Sequence, residues 1–155
     1  MRTLLLCVLA LCSHVMSMTA QVTGRIEYPY RADYEDQLVL PIGDKGLVIQ
    51  SFAKDSKAGK RYFKTEFYST MMTPVSTDSM LIDKGMYYYS NIVDNGVLYT
   101  VLRESDGTFM IVAFNATTHK ITVTDGEYTR KGTMRNLIIS NDNVVFSSTQ
   151  KKIDR

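Results

Sequence analysis

Met86-Tyr87-Tyr88-Tyr89-Ser90-Asn91-Ile92-Val93-Asp94-Asn95-Gly96-Val97-Leu98-Tyr99-Thr100-Val101-Leu102 consists of two β-branched and aromatic runs that meet at Asp94-Asn95-Gly96. Asn and Gly accept the positive φ of a tight turn, so the stretch predicts an antiparallel hairpin. The same form occurs upstream in Leu38-Val39-Leu40-Pro41-Ile42-Gly43-Asp44-Lys45-Gly46-Leu47-Val48-Ile49. It occurs again downstream in Leu137-Ile138-Ile139-Ser140-Asn141-Asp142-Asn143-Val144-Val145-Phe146, with Asn143 in the glycine place. The turn anchors Gly46, Gly96 and Asn143 are spaced about 50 and about 47 residues apart, a period that fits repeats of four short strands.

Working outward, a first unit over residues 37–82 is expected to hold strands at 38–42, 47–52, 62–71 and 79–82. The polar stretch 53–60 reads as a hairpin loop and 72–78 as a turn. Lys54, Lys57, Lys60 and Arg61 gather around that loop and read as a solvated basic turn. A second unit over 86–125 is expected to hold strands at 87–92, 97–102, 108–115 and 120–124. Its third strand, Phe109-Met110-Ile111-Val112-Ala113-Phe114, is continuously apolar, as a strand covered on both faces must be. A third, partial unit over 134–152 offers only two strands, 136–140 and 144–148. Residues 21–36, with Pro29, Tyr28, Tyr30 and Tyr34, read as a polar lead-in arm, because proline offers no N–H to a sheet ladder.

The start of the chain carries a different signal. Arg2 precedes the apolar run of residues 3–12, after which small and polar residues lead to Ser17-Met18-Thr19-Ala20-Gln21. That is the form of a secretory signal peptide over residues 1–20, too short for the roughly 20 apolar residues of a membrane span. Both cysteines, Cys7 and Cys12, lie inside it, so the exported chain would contain none and would be held by packing and sheet hydrogen bonds. Lipidation at Cys12 is disfavoured, because Leu11 is larger than the small residue that normally precedes a lipidated cysteine. The expected location is periplasmic or extracellular, without a transmembrane span after processing.

Removing the leader leaves about 135 residues, enough for one domain, and lowers the formal charge from +2 to +1 with the loss of Arg2. Such balance argues against nucleic acid as a partner. His119 is the only histidine outside the leader and falls in a turn, so neither a zinc site nor a histidine-activated nucleophile can be assembled from the sequence. Glu66, Glu104, Asp106 and Glu127 are carboxylates without a selecting pattern, and Asn115-Ala116-Thr117 is an isolated glycosylation triplet. No catalytic residue, metal or cofactor is therefore expected.

The surface candidates are Asp44, Asp94 and Asp142, one in each first turn, and Tyr87 and Tyr89, which would share one face of a strand while Tyr88 points to the other. Ten tyrosines against no tryptophan make aromatic surface the one compositional excess.

The spacing and hairpin form over residues 38–148 resemble the β-propeller superfamily, in particular the divergent propellers secreted by Bacteroidetes-type bacteria, whose mature chains often begin after an Ala-Gln junction such as Ala20-Gln21. The chain has no Trp-Asp dipeptide, kelch double glycine or Asp-box, and offers about two and a half units. The resemblance implies an all-β domain of consecutive four-stranded antiparallel blades over residues 37–155 in an incomplete ring, as the N-terminal part of a longer propeller. The length of the chain fits a small closed β-barrel or sandwich instead. The expected function is a non-catalytic extracytoplasmic module that binds protein or glycan, with self-association through an open blade edge. The alternatives are part of a glycan-active or other hydrolytic propeller enzyme, or a small secreted barrel carrier.

Overall fold

A computed structural model describes residues 32–127, 132–140 and 143–150. The leader, most of the lead-in arm and Asp142 lie outside the described residues. Ten strands follow one another: β1 (Tyr34–Pro41), β2 (Leu47–Lys57), β3 (Lys60–Tyr68), β4 (Pro74–Asp83), β5 (Tyr87–Asp94), β6 (Val97–Arg103), β7 (Thr108–Asn115), β8 (Lys120–Glu127), β9 (Gly132–Ser140) and β10 (Asn143–Gln150). They form a four-stranded sheet β1-β2-β3-β4, a second four-stranded sheet β5-β6-β7-β8, and the hairpin β9-β10. The described strand pairs are antiparallel and join chain neighbours. No described pair links β1 to β10, so the described strands do not close into a barrel.

Several sequence expectations need correction. Residues 53–57 are not loop: β2 continues through them and pairs Ser56 with Arg61 and Lys57 with Lys60, turning on Ala58 and Gly59. Strand β4 begins at Pro74 rather than residue 79, because Pro74 sits on an edge strand opposite Tyr68, where its missing N–H leaves no gap in the ladder. Residues 34–36 of the expected arm belong to β1. In the second sheet, β8 runs on to Glu127.

The two four-stranded sheets pack face to face. Val48, Phe52, Phe63, Phe67 and Ile82 of the first meet Leu98, Leu102, Met110, Val112 and Phe114 of the second in two buried clusters. The alternation of these positions along each strand puts them on one face. Full burial of side chains of this size stabilises by roughly 1.5–3 kcal/mol each before entropy is counted. The second sheet buries its other face too, through Tyr99, Val101, Phe109 and Ile111. This is the physical reason β6 and β7 are nearly continuously apolar. Strand β9 also approaches β5.

A polar contact joins the two sheets within the core: Thr100 Oγ1 donates to Gln50 Oε1 at 2.8 Å, with both residues wholly buried. Thr100→Val would leave the Gln50 carbonyl unsatisfied and cost about 1–3 kcal/mol. Adding Gln50→Leu to that variant should recover part of the loss in urea unfolding. A Thr100→Val protein as stable as the wild type would contradict the contact.

Candidate functional site

The two acidic turns come together at one end of the sheets. Asp44 is exposed in a single 3-10 turn, Gly43–Lys45, between β1 and β2. Asp94 closes β5, where its Oδ2 accepts a bond of 3.1 Å from Asn95 Nδ2. Asn95 and Gly96 both hold positive φ, 47° and 76°, the conformation of a tight primed turn. A Cβ added to Gly96 would lie 3.8 Å from Lys45 Cγ, which sets the two turns side by side.

Tyr87 and Tyr89 lie toward the opposite end of β5, at most about 23 Å and about 16 Å from Asp94 at the usual strand rise. Arg103, opposite Tyr87 on β6, joins them: its Nε donates to the Tyr87 hydroxyl at 2.6 Å, and its guanidinium lies 5.3 Å from the Tyr87 ring and 4.5 Å from the Tyr89 ring. A β-bulge at Tyr89 sets this geometry, because the register passes from Tyr88 opposite Leu102 directly to Ser90 opposite Val101. The candidates therefore form two separate surfaces, an acidic turn end and a tyrosine–arginine cluster.

Tyr88 points the other way, into the packing between the sheets, where its hydroxyl donates to Asn91 Oδ1. Burial raises its phenol above the ordinary value of 10.0. The folded state then keeps the proton where the unfolded chain has released it, so stability falls as pH rises above 10. Tyr88→Phe removes this contribution. Between about pH 9 and about pH 11 the wild type should lose stability more steeply than the variant in urea titrations; equal slopes would contradict the assignment.

A third feature was not visible in the sequence. β1 is bulged between Glu35 and Leu38, with Asp36 at φ 50°. Beside the bulge, Tyr34, Glu35, Asp36, Gln37 and Lys54 line an open hollow of about 320 Å³. Arg61 supports it from within. Its Nη1 donates to Glu35 Oε1 at 2.6 Å, its Nη2 donates to the Met86 carbonyl, and its guanidinium sits 4.2 Å from the centre of the Phe52 ring. The expected basic turn is thus dispersed: Arg61 is buried, Lys60 pairs with Asp83 at 2.7 Å, and exposed Lys54 faces the hollow. The side chain of Lys57 lies outside the described residues.

The remaining carboxylates are scattered. Glu66 is buried beside Lys64 at 2.8 Å, and Asp106 Oδ1 accepts the Thr108 amide at 2.9 Å. His119 stays in the β7–β8 turn at φ 56°, with its ring 5.5 Å from Phe67. Asn115 Oδ1 accepts the amides of Thr117 and Thr118, both at 2.9 Å, so the glycosylation triplet here builds a turn. Among the described residues no three His, Cys, Asp or Glu side chains come together as a metal site, and no helix is long and apolar enough to cross a membrane.

Comparisons with family models, with curated proteins and with solved structures gave no match to this chain.

Proposed function

We propose that the chain is an exported, non-catalytic interaction module, a divergent relative of secreted propellers whose four-stranded sheets act as blades that present adjoining turns to a protein or glycan. The observation that carries this reading is the placement of the Asp44 and Asp94 turns side by side, with Lys45 against Gly96, on two sheets of the same strand order. A rigid double-sheet core fixes such turns at little entropic cost on binding. The turns joining the first and second strands of the two four-stranded sheets then form one recognition surface, and the leader over residues 1–20 delivers it outside the cytoplasm.

The test uses the exported chain. N-terminal sequencing should begin at Gln21, and a start at Met1 in a folded cytosolic protein would overturn export. An array of cell-surface and polymer-derived oligosaccharides, together with a pull-down of extracytoplasmic proteins, should yield a ligand whose binding falls at least about tenfold, about 1.4 kcal/mol, when Asp44→Lys and Asp94→Lys are combined. Turnover of chromogenic glycosides, or binding indifferent to both substitutions, would overturn the reading.

A further inference from the structure

The hollow beside the β1 bulge is lined by side chains whose polar ends are left over from the fold. Asp36 and Gln37 together take the place opposite Ser51, between the pairs Glu35–Phe52 and Leu38–Gln50, and a bulge of this kind re-aims the side chains it carries. The Lys54 amide donates to the Asp33 carbonyl at 2.8 Å, which ties Lys54 to the start of the same strand. Two of the lining residues are held from behind. Buried Arg61 engages Glu35 Oε1 and leaves Oε2 without a partner among the described residues. The Tyr34 ring has Lys64 Nζ 5.4 Å from its centre, and Lys64 is itself fixed by Glu66 at 2.8 Å, so the ring stands against a buried ion pair. Among the described residues the Tyr34 hydroxyl, the Asp36 carboxylate and Lys54 Nζ have no hydrogen-bond or ion-pair partner either. Gln37 completes the lining, and its Nε2 is buried with no partner. A buried unpaired donor is costly, and the terminal torsion of glutamine is soft, so a ligand oxygen in the hollow supplies the acceptor that the fold does not.

We propose that this hollow binds a short uncharged saccharide. Three features select that chemistry. Sugar hydroxyls both donate and accept, and the lining offers both counterparts: Glu35 Oε2 and Asp36 accept, Gln37 Nε2 and Lys54 Nζ donate, and the Tyr34 ring covers an apolar C–H face. The lining has no net charge, because Arg61 offsets Glu35 and Lys54 offsets Asp36, so neither an anion nor a cation is favoured. An apolar ligand would strip water from these polar ends and pair none of them. The volume of about 320 Å³ lies at the lower end of ligand sites, which run from about 300 to about 1,000 Å³. This site is distinct from the turn surface: β1 runs from Tyr34 at the hollow to Pro41 beside the Asp44 turn, at most about 23 Å at the usual strand rise.

Amide chemical shifts of the full exported chain, titrated with cellotetraose, xylotetraose, mannotetraose and N-acetylchitotetraose, test it. At least one of the four should move the amides of residues 34–37 and 54 saturably, with a Kd of about 1 mM or tighter. Asp36→Gly removes the carboxylate and suits the φ of 50°, so it should weaken that binding at least about tenfold without harm to the fold, and Tyr34→Ala should do the same. Asp36→Asn, which keeps an acceptor oxygen in place, should lose less than Asp36→Gly. Combining Asp44→Lys with Asp94→Lys should change binding at the hollow by about twofold or less. No saturable shift at these residues with any of the four sugars, binding unchanged by Asp36→Gly, or tighter binding of a sulfated or a cationic oligosaccharide at the same residues would overturn the proposal. Shifts confined to residues 43–46 and 94–96 would support the turn surface and overturn the hollow, so the two readings fail separately.

Discussion

Gly46→Ala is expected to destabilise the fold by about 3 kcal/mol or more, whereas Gly43→Ala, three residues earlier in the same turn, costs about 1 kcal/mol. Gly46 stands at φ 133° and ψ −146°, a region essentially closed to side-chain-bearing residues. A Cβ there would also lie 2.0 Å from the backbone oxygen of Tyr68, so the end of β3 would have to move away from the turn. Gly43 is at φ 54°, in the ordinary left-handed region, and its added Cβ meets nothing within 4 Å. Urea midpoints at unchanged m separate the two effects. Equal losses would show that the β1–β2 turn does not press on β3.

Phe114→Ala should cost about 3–5 kcal/mol, a large part of the stability of a domain this size. Phe114 is buried on β7 with its ring 5.3 Å from that of Phe67 on β3, so the truncation opens a cavity between the two sheets rather than within one. Leu81→Ala is the matched surface control. Leu81 is 58% exposed, and its loss should stay within about 0.5 kcal/mol. Thermal or urea unfolding reads both variants, and a mild Phe114→Ala phenotype would mean that each sheet is stable without the other.

The all-β class and the three hairpin starts were legible because turn chemistry is local: Asn95-Gly96 can hardly be anything but a tight turn, and the apolar run through β7 announces a strand covered on both faces. The full length of the β2–β3 hairpin is not legible in the sequence, because polarity reports exposure, not irregular backbone. Its outer half is polar in sequence and still keeps the Ser56–Arg61 and Lys57–Lys60 register. The burial of Arg61 is not legible in the sequence because its partners are distant in the chain: Glu35 is 26 residues back and the Met86 carbonyl 25 ahead. Continuing the 94–97 pairing without interruption would set Tyr88, not Tyr87, opposite Arg103; the bulge at Tyr89 moves the register by one, and nothing in Tyr87-Tyr88-Tyr89 marks which residue is extra. The hollow beside β1 depends on a second bulge of the same kind, in a stretch whose polar, proline-containing approach read as an arm. In each case the missing information is long-range register, which a hydrophobic pattern constrains by face but not by count.

The central claim is that two open four-stranded sheets pack face to face, and nuclear Overhauser contacts between side chains 47 and 50 positions apart in the chain test it most directly. The account predicts contacts between the rings of Phe67 and Phe114, 5.3 Å apart, and between the Thr100 and Gln50 side chains, together with ladder pairing that, among the described strands, joins chain neighbours such as β2 with β3 and β6 with β7. Absence of the Phe67–Phe114 contact, or backbone contacts pairing β1 with β10, would contradict it.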